Sequence, residues 1–294
     1  MRALECKKEP GLPYTVAVTF DQFIENISVS GNLSETANSR SQSIVNLLNT
    51  DFSILEAFPL GSLVSGTALK GYADADVMLV LHFGKHIEGK SPTQILQNVR
   101  DKLSEYNTRM AKKNGQAVTL YFKTWPNVDI VPAYRVSDNG QLYCYKIPNM
   151  NDNAWIETRP KIHVQNMARM SVSKINLVKM IKEWNRKHSS YLSSFHIEVM
   201  ALSYDDFHED YSWHVFKFFE HMSEKIQYKI PSPAGLGGYV DDYLSYSDRQ
   251  EAKQRIETAL SASRTAWSDS YNKKDKDSIE RFGRIFGERF PSYG

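Results

Sequence analysis

The stretch GSLVSGTALKGYADADVMLVL, residues 61–81, decides the reading of this chain. It opens on Gly61-Ser62, passes through a turn rich in small residues, and reaches Asp74-Ala75-Asp76. There an apolar run, DVMLVLH (76–82), reads as a buried strand. Side chains alternate along a strand, so Asp74 and Asp76 point to one side. A third acid, Asp129, sits among apolar residues in NVDIVPAY (127–134), a second predicted strand. An unpaired charge in such a setting is costly, and three converging carboxylates repel one another unless cations neutralise them. Two magnesium ions about 4 Å apart, with manganese as an alternative, are the natural solution, because such ions hold triphosphate oxygens as readily as carboxylates. The expected metal ligands and catalytic acids are therefore Asp74, Asp76 and Asp129. Gly61-Ser62 lets the backbone approach terminal phosphates, with N–H groups and the serine hydroxyl as donors.

Outward from this stretch, AVTLYFK (117–123) pairs with 127–134 around Trp125-Pro126, and QLYCYKI (141–147) alternates like a further strand. Residues 15–30 and 34–57 read as helices, the second capped by Ser34 and carrying Ile44, Leu47, Leu48, Ile54 and Leu55 on one face. Pro92 suits the first turn of a helix running to about Lys113, which Asn114-Gly115 stops. Beyond residue 155 the pattern turns helical, over 161–188, 194–229 and a charge-mixed pair from Asp248 to Phe290, with Gly/Pro-rich PSPAGLGGYVDDYLS (231–245) between them. Gly235, Gly237 and Gly238 serve a turn there. The expected organisation is α+β: a core of mixed sheet with N-terminal helices over 1–155, then a helical lobe over 156–294.

Composition sets limits. The chain has 294 residues, 36 Lys+Arg against 34 Asp+Glu, a net charge of +2 and 41% hydrophobic residues. This balance suits a globular protein and argues against a histone-like nucleic-acid binder. Its two cysteines, Cys6 and Cys144, form no CxxC pair, which excludes a disulfide scaffold and a Cys-rich zinc module. The longest strongly apolar run, Val77–Leu81, is far short of a membrane span, and MRALECKKEPGLPY lacks the apolar stretch of a signal peptide. A cytoplasmic protein with no membrane association is expected.

The Gly-Ser pair, the short spacer, the D-x-D on a strand and the third Asp on a later strand resemble the signature of polymerase-β-type nucleotidyltransferases. LVKMIKEWN (177–185) followed by SSFHIEVMAL (193–202) resembles the helix pair of the cyclic GMP-AMP synthase and oligoadenylate synthase superfamily. WIETRPKIH (155–163) and AGLGGYVDDYLS (234–245) are similar to segments of its bacterial branch, the cGAS/DncV-like nucleotidyltransferases. The resemblance spans about residues 55–250. It implies a two-lobed polymerase-β-like nucleotidyltransferase core plus a C-terminal helical, oligoadenylate-synthase-like lobe, with the active site in the cleft between them.

The resemblance also implies residue roles. Asp74 and Asp76 would hold both metals, and Asp129 the metal nearer the acceptor while helping to take its hydroxyl proton. Ser62 would contact the terminal phosphates, Lys179 and Ser194 would hold the triphosphate, and Phe195 would stack on the donor base. Read without it, Lys179 is one lysine of a solvated helix face and Phe195 a core residue. Asn166 either reads a base edge through its amide or sits on a helix surface. Two departures stand out: Phe195 replaces a common tyrosine, and Ser232-Pro233 stands where relatives often carry Asp-Pro. The implied activity joins ribonucleoside triphosphates into a cyclic di- or trinucleotide second messenger with release of pyrophosphate, in bacterial anti-phage signalling. The alternative is a transferase acting on RNA 3′ ends or a protein hydroxyl. An activating protein partner is compatible with this reading. The chain has no His/Cys zinc insertion, so no double-stranded DNA requirement is expected, and a monomer is.

Overall fold

The computed structural model describes residues 15–106, 110–136, 144–205, 210–236 and 238–294. Cys6, Gly237 and residues 141–143 of the fourth expected strand lie outside them. The chain forms two compact units, one of Val29–Ser171 with Pro231–Gly238, the other of Met1–Ser28, Val172–Ile230 and Tyr239–Gly294.

The first unit is built on a mixed sheet. Its strands are β1 (Ile54–Leu60), β2 (Ala75–Leu81), β3 (Met110–Asn114), β4 (Ala117–Tyr121), β5 (Val128–Val136), β6 (Cys144–Asn149) and β7 (Ala154–Thr158). The main order is β1-β2-β5-β4-β3, and β6 joins the far end of β5 and pairs with β7. Only β2 and β5 run parallel; β1 and β4 flank them antiparallel. Alternation sorts β2 into two sets. Val77, Leu79 and Leu81 meet Ile44 and Leu48 of a helix α2 (Gly31–Leu48), and Leu96 and Val99 of a helix α4 (Pro92–Leu103). Met78 and Val80 face the other way, with Val131, Ala133, Tyr145 and Ile147. Burial on both faces explains the unbroken apolar run that the sequence shows there. Asp76 belongs to the second set, at the strand's mouth.

The second unit is helical: α1 (Val16–Ile27), α6 (Val172–Lys187), α7 (Ser194–Leu202), α8 (Tyr211–Lys225), α9 (Tyr246–Tyr271) and α10 (Asp275–Phe286). Phe20 and Phe23 of α1 pack on Phe282 and Phe286 of α10, with ring centroids 4.9 and 4.8 Å apart. No helix among the described residues is long and apolar enough to cross a membrane.

Several sequence expectations need correction. α2 starts at Gly31 with Ser30, not Ser34, at its N-cap, and it ends at Leu48. Asn49-Thr50-Asp51 turns the chain, and Ile54 and Leu55, expected on the helix face, begin β1, an edge strand with alternating exposure. The helix expected over 92–113 stops at Leu103, and residues 110–114 are β3. Asn114 instead ends β3, and Gly115-Gln116 is the hairpin turn into β4, with Gly115 at a φ of +61°. The helices expected over 161–188 and 194–229 are each two: α5 (Pro160–Ala168) precedes α6, and α7 precedes α8. A boundary at 155/156 with both N-terminal helices in the first unit also differs from the structure. There residues through Ser171 stay with the sheet, and α1 joins the helices.

Candidate active site

The sheet fixes where the acids stand. In the parallel pairing of β2 and β5, Asp76 is the register partner of Asp129. The antiparallel neighbours set Leu60 beside Asp76 and Thr119 beside Asp129. Two carboxylates thus lie side by side on central strands, on the face that also carries Met78 and Val131.

Gly61 follows at the end of β1 and opens a single helical turn, α3 (Gly61–Val64). Its φ is +75°, and a Cβ there would lie 2.8 Å from Cγ of Asp76 and collide with the carboxylate oxygen. A residue with a side chain would meet both backbone strain and overlap, so the glycine is required by the acid next to it. Ser62 is half-buried in this turn, and its carbonyl accepts from the Thr67 N–H at 2.9 Å. Between α2, β1, α3 and Asp76 lies a cavity of about 270 Å³, with Asn38, Ser41, Leu60 and Leu63 in its wall.

Asp74 precedes β2 by one residue and is held by Asn127. The Asn127 amide nitrogen donates to Asp74 Oδ1 at 3.1 Å, while its carbonyl accepts from the Ala75 N–H at 2.9 Å. Burial pushes the Asp74 carboxyl above its ordinary value, against hydrogen bonds to it from the Asn127 side chain and the Asn127 backbone N–H. Burial likewise pushes Asp129 up; the Thr119 hydroxyl opposes this and the negative charge of Asp74 adds to it. The Oδ1 of Asp129 is buried with no hydrogen-bond partner among the described residues. Asn127 escapes a sequence reading, since one polar residue beside a proline looks like any loop residue.

A bound cation would relieve this arrangement. Desolvated carboxylates in adjacent registers, one with an unpartnered buried oxygen, are the hard oxygen donors that magnesium or manganese takes. The residues fit such an ion, although among the described residues no three His, Cys, Asp or Glu side chains converge into a ready ligand cluster.

The other candidates lie elsewhere. Asn166 is half-buried on α5 in the sheet unit and makes no hydrogen bond to the acids. Lys179, Ser194 and Phe195 belong to the helical unit. The half-buried Lys179 ammonium donates to Ser28 Oγ at 3.1 Å and to Asn176 Oδ1 at 3.4 Å, both neutral, and burial pulls its pKa down. Three residues on, Lys182 is buried against Glu198 at 2.5 Å. Among the described residues Lys179 thus lacks the counter-charge its neighbour has, which a solvated helix face does not explain. Ser194 and Phe195 open α7 behind the Ser193 N-cap; both are exposed, Phe195 by 38%. That exposure removes the reading of Phe195 as a core residue.

Comparison with known proteins agrees with this architecture. Residues 14–170 match the family model of the Second Messenger Oligonucleotide or Dinucleotide Synthetase domain. A probable cyclic nucleotide synthase of Bacillus cereus (strain VD146) is 26% identical over 215 residues, 68% of this chain and 63% of that protein's length. The chain thus spans less than two thirds of this relative. E. coli MS115-1 CdnC, solved with ATP, has a TM-score of 0.78 at 18% identity, covering 95% of this chain and all of that one. The same protein is also known in complex with a HORMA protein, at a TM-score of 0.73 and 18% identity over 94% of this chain and 98% of that one. Bradyrhizobium diazoefficiens CdnG with GTP gives 0.75 at 12% identity, over 92% of this chain and 98% of that one. The fold is therefore the polymerase-β-like nucleotidyltransferase fold, a mixed sheet with a helical region after it, and the chain belongs to the Second Messenger Oligonucleotide or Dinucleotide Synthetase family.

Proposed function

We propose that this chain is a metal-dependent nucleotidyltransferase that joins ribonucleoside triphosphates into a cyclic di- or trinucleotide second messenger. The observation that carries the reading is the side-by-side register of Asp76 and Asp129 in a sheet that leaves a buried Asp129 oxygen unpartnered. Asp74, Asp76 and Asp129 would hold two magnesium ions, with manganese as a substitute. Such ions, when bound, lower the pKa of the attacking hydroxyl and offset charge on the transferring and leaving oxygens.

The chain's own residues do the rest. A ribose hydroxyl attacks the α-phosphorus of a triphosphate in line; the bond to the β-phosphate oxygen breaks and pyrophosphate leaves. The Asp129 carboxylate helps to take the hydroxyl proton. Backbone N–H groups at Gly61-Ser62 and the Ser62 hydroxyl bind terminal phosphates. Lys179, an ammonium without a carboxylate partner, neutralises the triphosphate together with Ser194. Phe195 offers its exposed ring to the donor base, and the Asn166 amide reads a base edge. The family and the CdnC–HORMA complex support a role in bacterial anti-phage signalling, with a protein partner as activator.

The test is product analysis. The protein is incubated with all four ribonucleoside triphosphates and magnesium, then manganese, treated with phosphatase and analysed by mass spectrometry. A phosphatase-resistant oligonucleotide without free ends is expected. Linear, phosphatase-sensitive products, or product only with added RNA or protein, would favour a terminal or AMP-adding transferase.

A further inference from the structure

The connection between β4 and β5, residues 122–127, is fastened at both ends. At one end Asn127 works in three directions. Its amide nitrogen reaches Asp74 Oδ1, its amide oxygen accepts from the Phe122 N–H at 3.2 Å, and its carbonyl accepts from Ala75. Only a side chain with both a donor and an acceptor can span from the end of β4 to the Asp74 carboxylate. Within the connection the hold comes from Arg40, on the middle of α2. One guanidinium nitrogen donates to the Thr124 carbonyl at 2.7 Å and to the Pro126 carbonyl. The second donates to Thr124 Oγ1 at 2.7 Å, and the guanidinium lies 4.2 Å from the centre of the Phe122 ring. The fork thus grips the residues on either side of Trp125 and covers the ring before them. A planar cation with several fixed donors suits this grip, and lysine does not.

This fastening holds a connection that also carries a hydrogen bond to the Asp74 carboxylate. From it we infer that Arg40 and Asn127 form a positioning relay: Arg40 sets the 122–127 connection, and Asn127, carried on it, sets the Asp74 carboxylate for a divalent cation. The inference rests on the metal-binding reading of Asp74 proposed above. Neither residue touches substrate or the reacting atoms. Their contribution is the rotamer of a ligand, as with the outer-shell partners of other metal-binding side chains.

The test titrates manganese alone into the full chain and follows free Mn²⁺ by electron paramagnetic resonance, with thermal unfolding of each variant measured alongside. Asn127→Ala is expected to weaken Mn²⁺ binding about tenfold, and Arg40→Met, one link further out, about threefold. Arg40→Lys keeps the charge without the fork and is expected to fall between wild type and Arg40→Met. It carries the test if Arg40→Met does not fold. Arginine variants that lose thermal stability yet bind Mn²⁺ as wild type does would overturn the relay and leave Arg40 a purely structural clamp. A weakened Asn127→Ala beside unaffected arginine variants would overturn Arg40's part in the same way. The combined Asp74→Asn, Asp76→Asn variant is the control for the underlying reading: if it binds Mn²⁺ like wild type, the metal assignment itself fails, and the relay with it.

Discussion

The two units differ at their most deeply buried charged groups. In the helical unit the nearly fully buried charged side chains have partners. Lys182 meets Glu198 at 2.5 Å with both side chains almost fully buried, Asp241 pairs with Arg249, and Glu183 takes Arg186 at 2.6 Å and Arg289 at 3.2 Å. In the sheet unit, Asp129 holds a buried oxygen with no hydrogen-bond partner among the described residues, beside a registered Asp76. Paired charges steady a fold or are neutral to it, whereas an unpaired one lowers stability and persists only for another reason. Lys179 shows the same contrast within one helix, set against Lys182.

The comparison can be broken in graded ways. The largest effect falls on turnover: Asp74→Asn combined with Asp76→Asn is expected to reduce pyrophosphate release about a thousandfold or more without unfolding the chain. Wild-type turnover in that variant would remove the acids from the mechanism. On the paired side, Lys182→Met strands a buried Glu198 carboxylate, and denaturant unfolding should show a loss of about 3–5 kcal/mol. Adding Glu198→Leu should restore much of it; a double variant as unstable as the single one would mean that packing, not charge pairing, sets the cost.

The next effect reads pH. His196 is fully buried beside the Tyr243 hydroxyl, 3.0 Å from its Nδ1, and burial pulls its pKa down to about 4. Its folded pKa lies below its unfolded value near 6.5, so the unfolded chain binds the extra proton first. Stability should be complete above about pH 6.5 and fall as pH drops toward 4, by about 3 kcal/mol in all. His196→Gln should flatten that slope in denaturant titrations at stepped pH; an unchanged slope would assign the acid sensitivity to other groups.

How much of this is legible in the sequence follows from the range of the forces involved. Asp76 and Asp129 are legible because a charge inside an apolar strand is anomalous locally, and period-two alternation says which side each takes. The expected two-part α+β architecture is legible for the same reason, from the periodicity of long segments. Ile54 and Leu55 mislead because they continue the period of α2, and only pairing with β2 turns them into an edge strand. Met110–Asn114 misleads because a short polar strand is defined by its partner β4, not by its own composition. The place of α1 cannot be read at all, since Phe20 and Phe23 find their partners at the other end of the chain. Arg40 and Asn127 are invisible likewise: their meaning lies in hydrogen bonds that join residues 40, 74 and 124. Lys179 is a middle case. Family resemblance singles it out, and its lack of an acidic neighbour gives a physical reason.

The central claim, that the sheet unit keeps a buried Asp129 oxygen without a hydrogen-bond partner for the sake of chemistry, is tested most directly by Asp129→Asn measured two ways at pH 7 in metal-free buffer and with magnesium. The folded carboxyl is raised above its unfolded value of 3.8. Its ionisation therefore lowers stability progressively as pH rises from 3.8 through that raised value. The account predicts that the neutral amide makes the metal-free protein more stable by about 1 kcal/mol and at the same time abolishes nucleotidyl transfer. A variant that is less stable than wild type, or that still releases pyrophosphate at the wild-type rate, would contradict it.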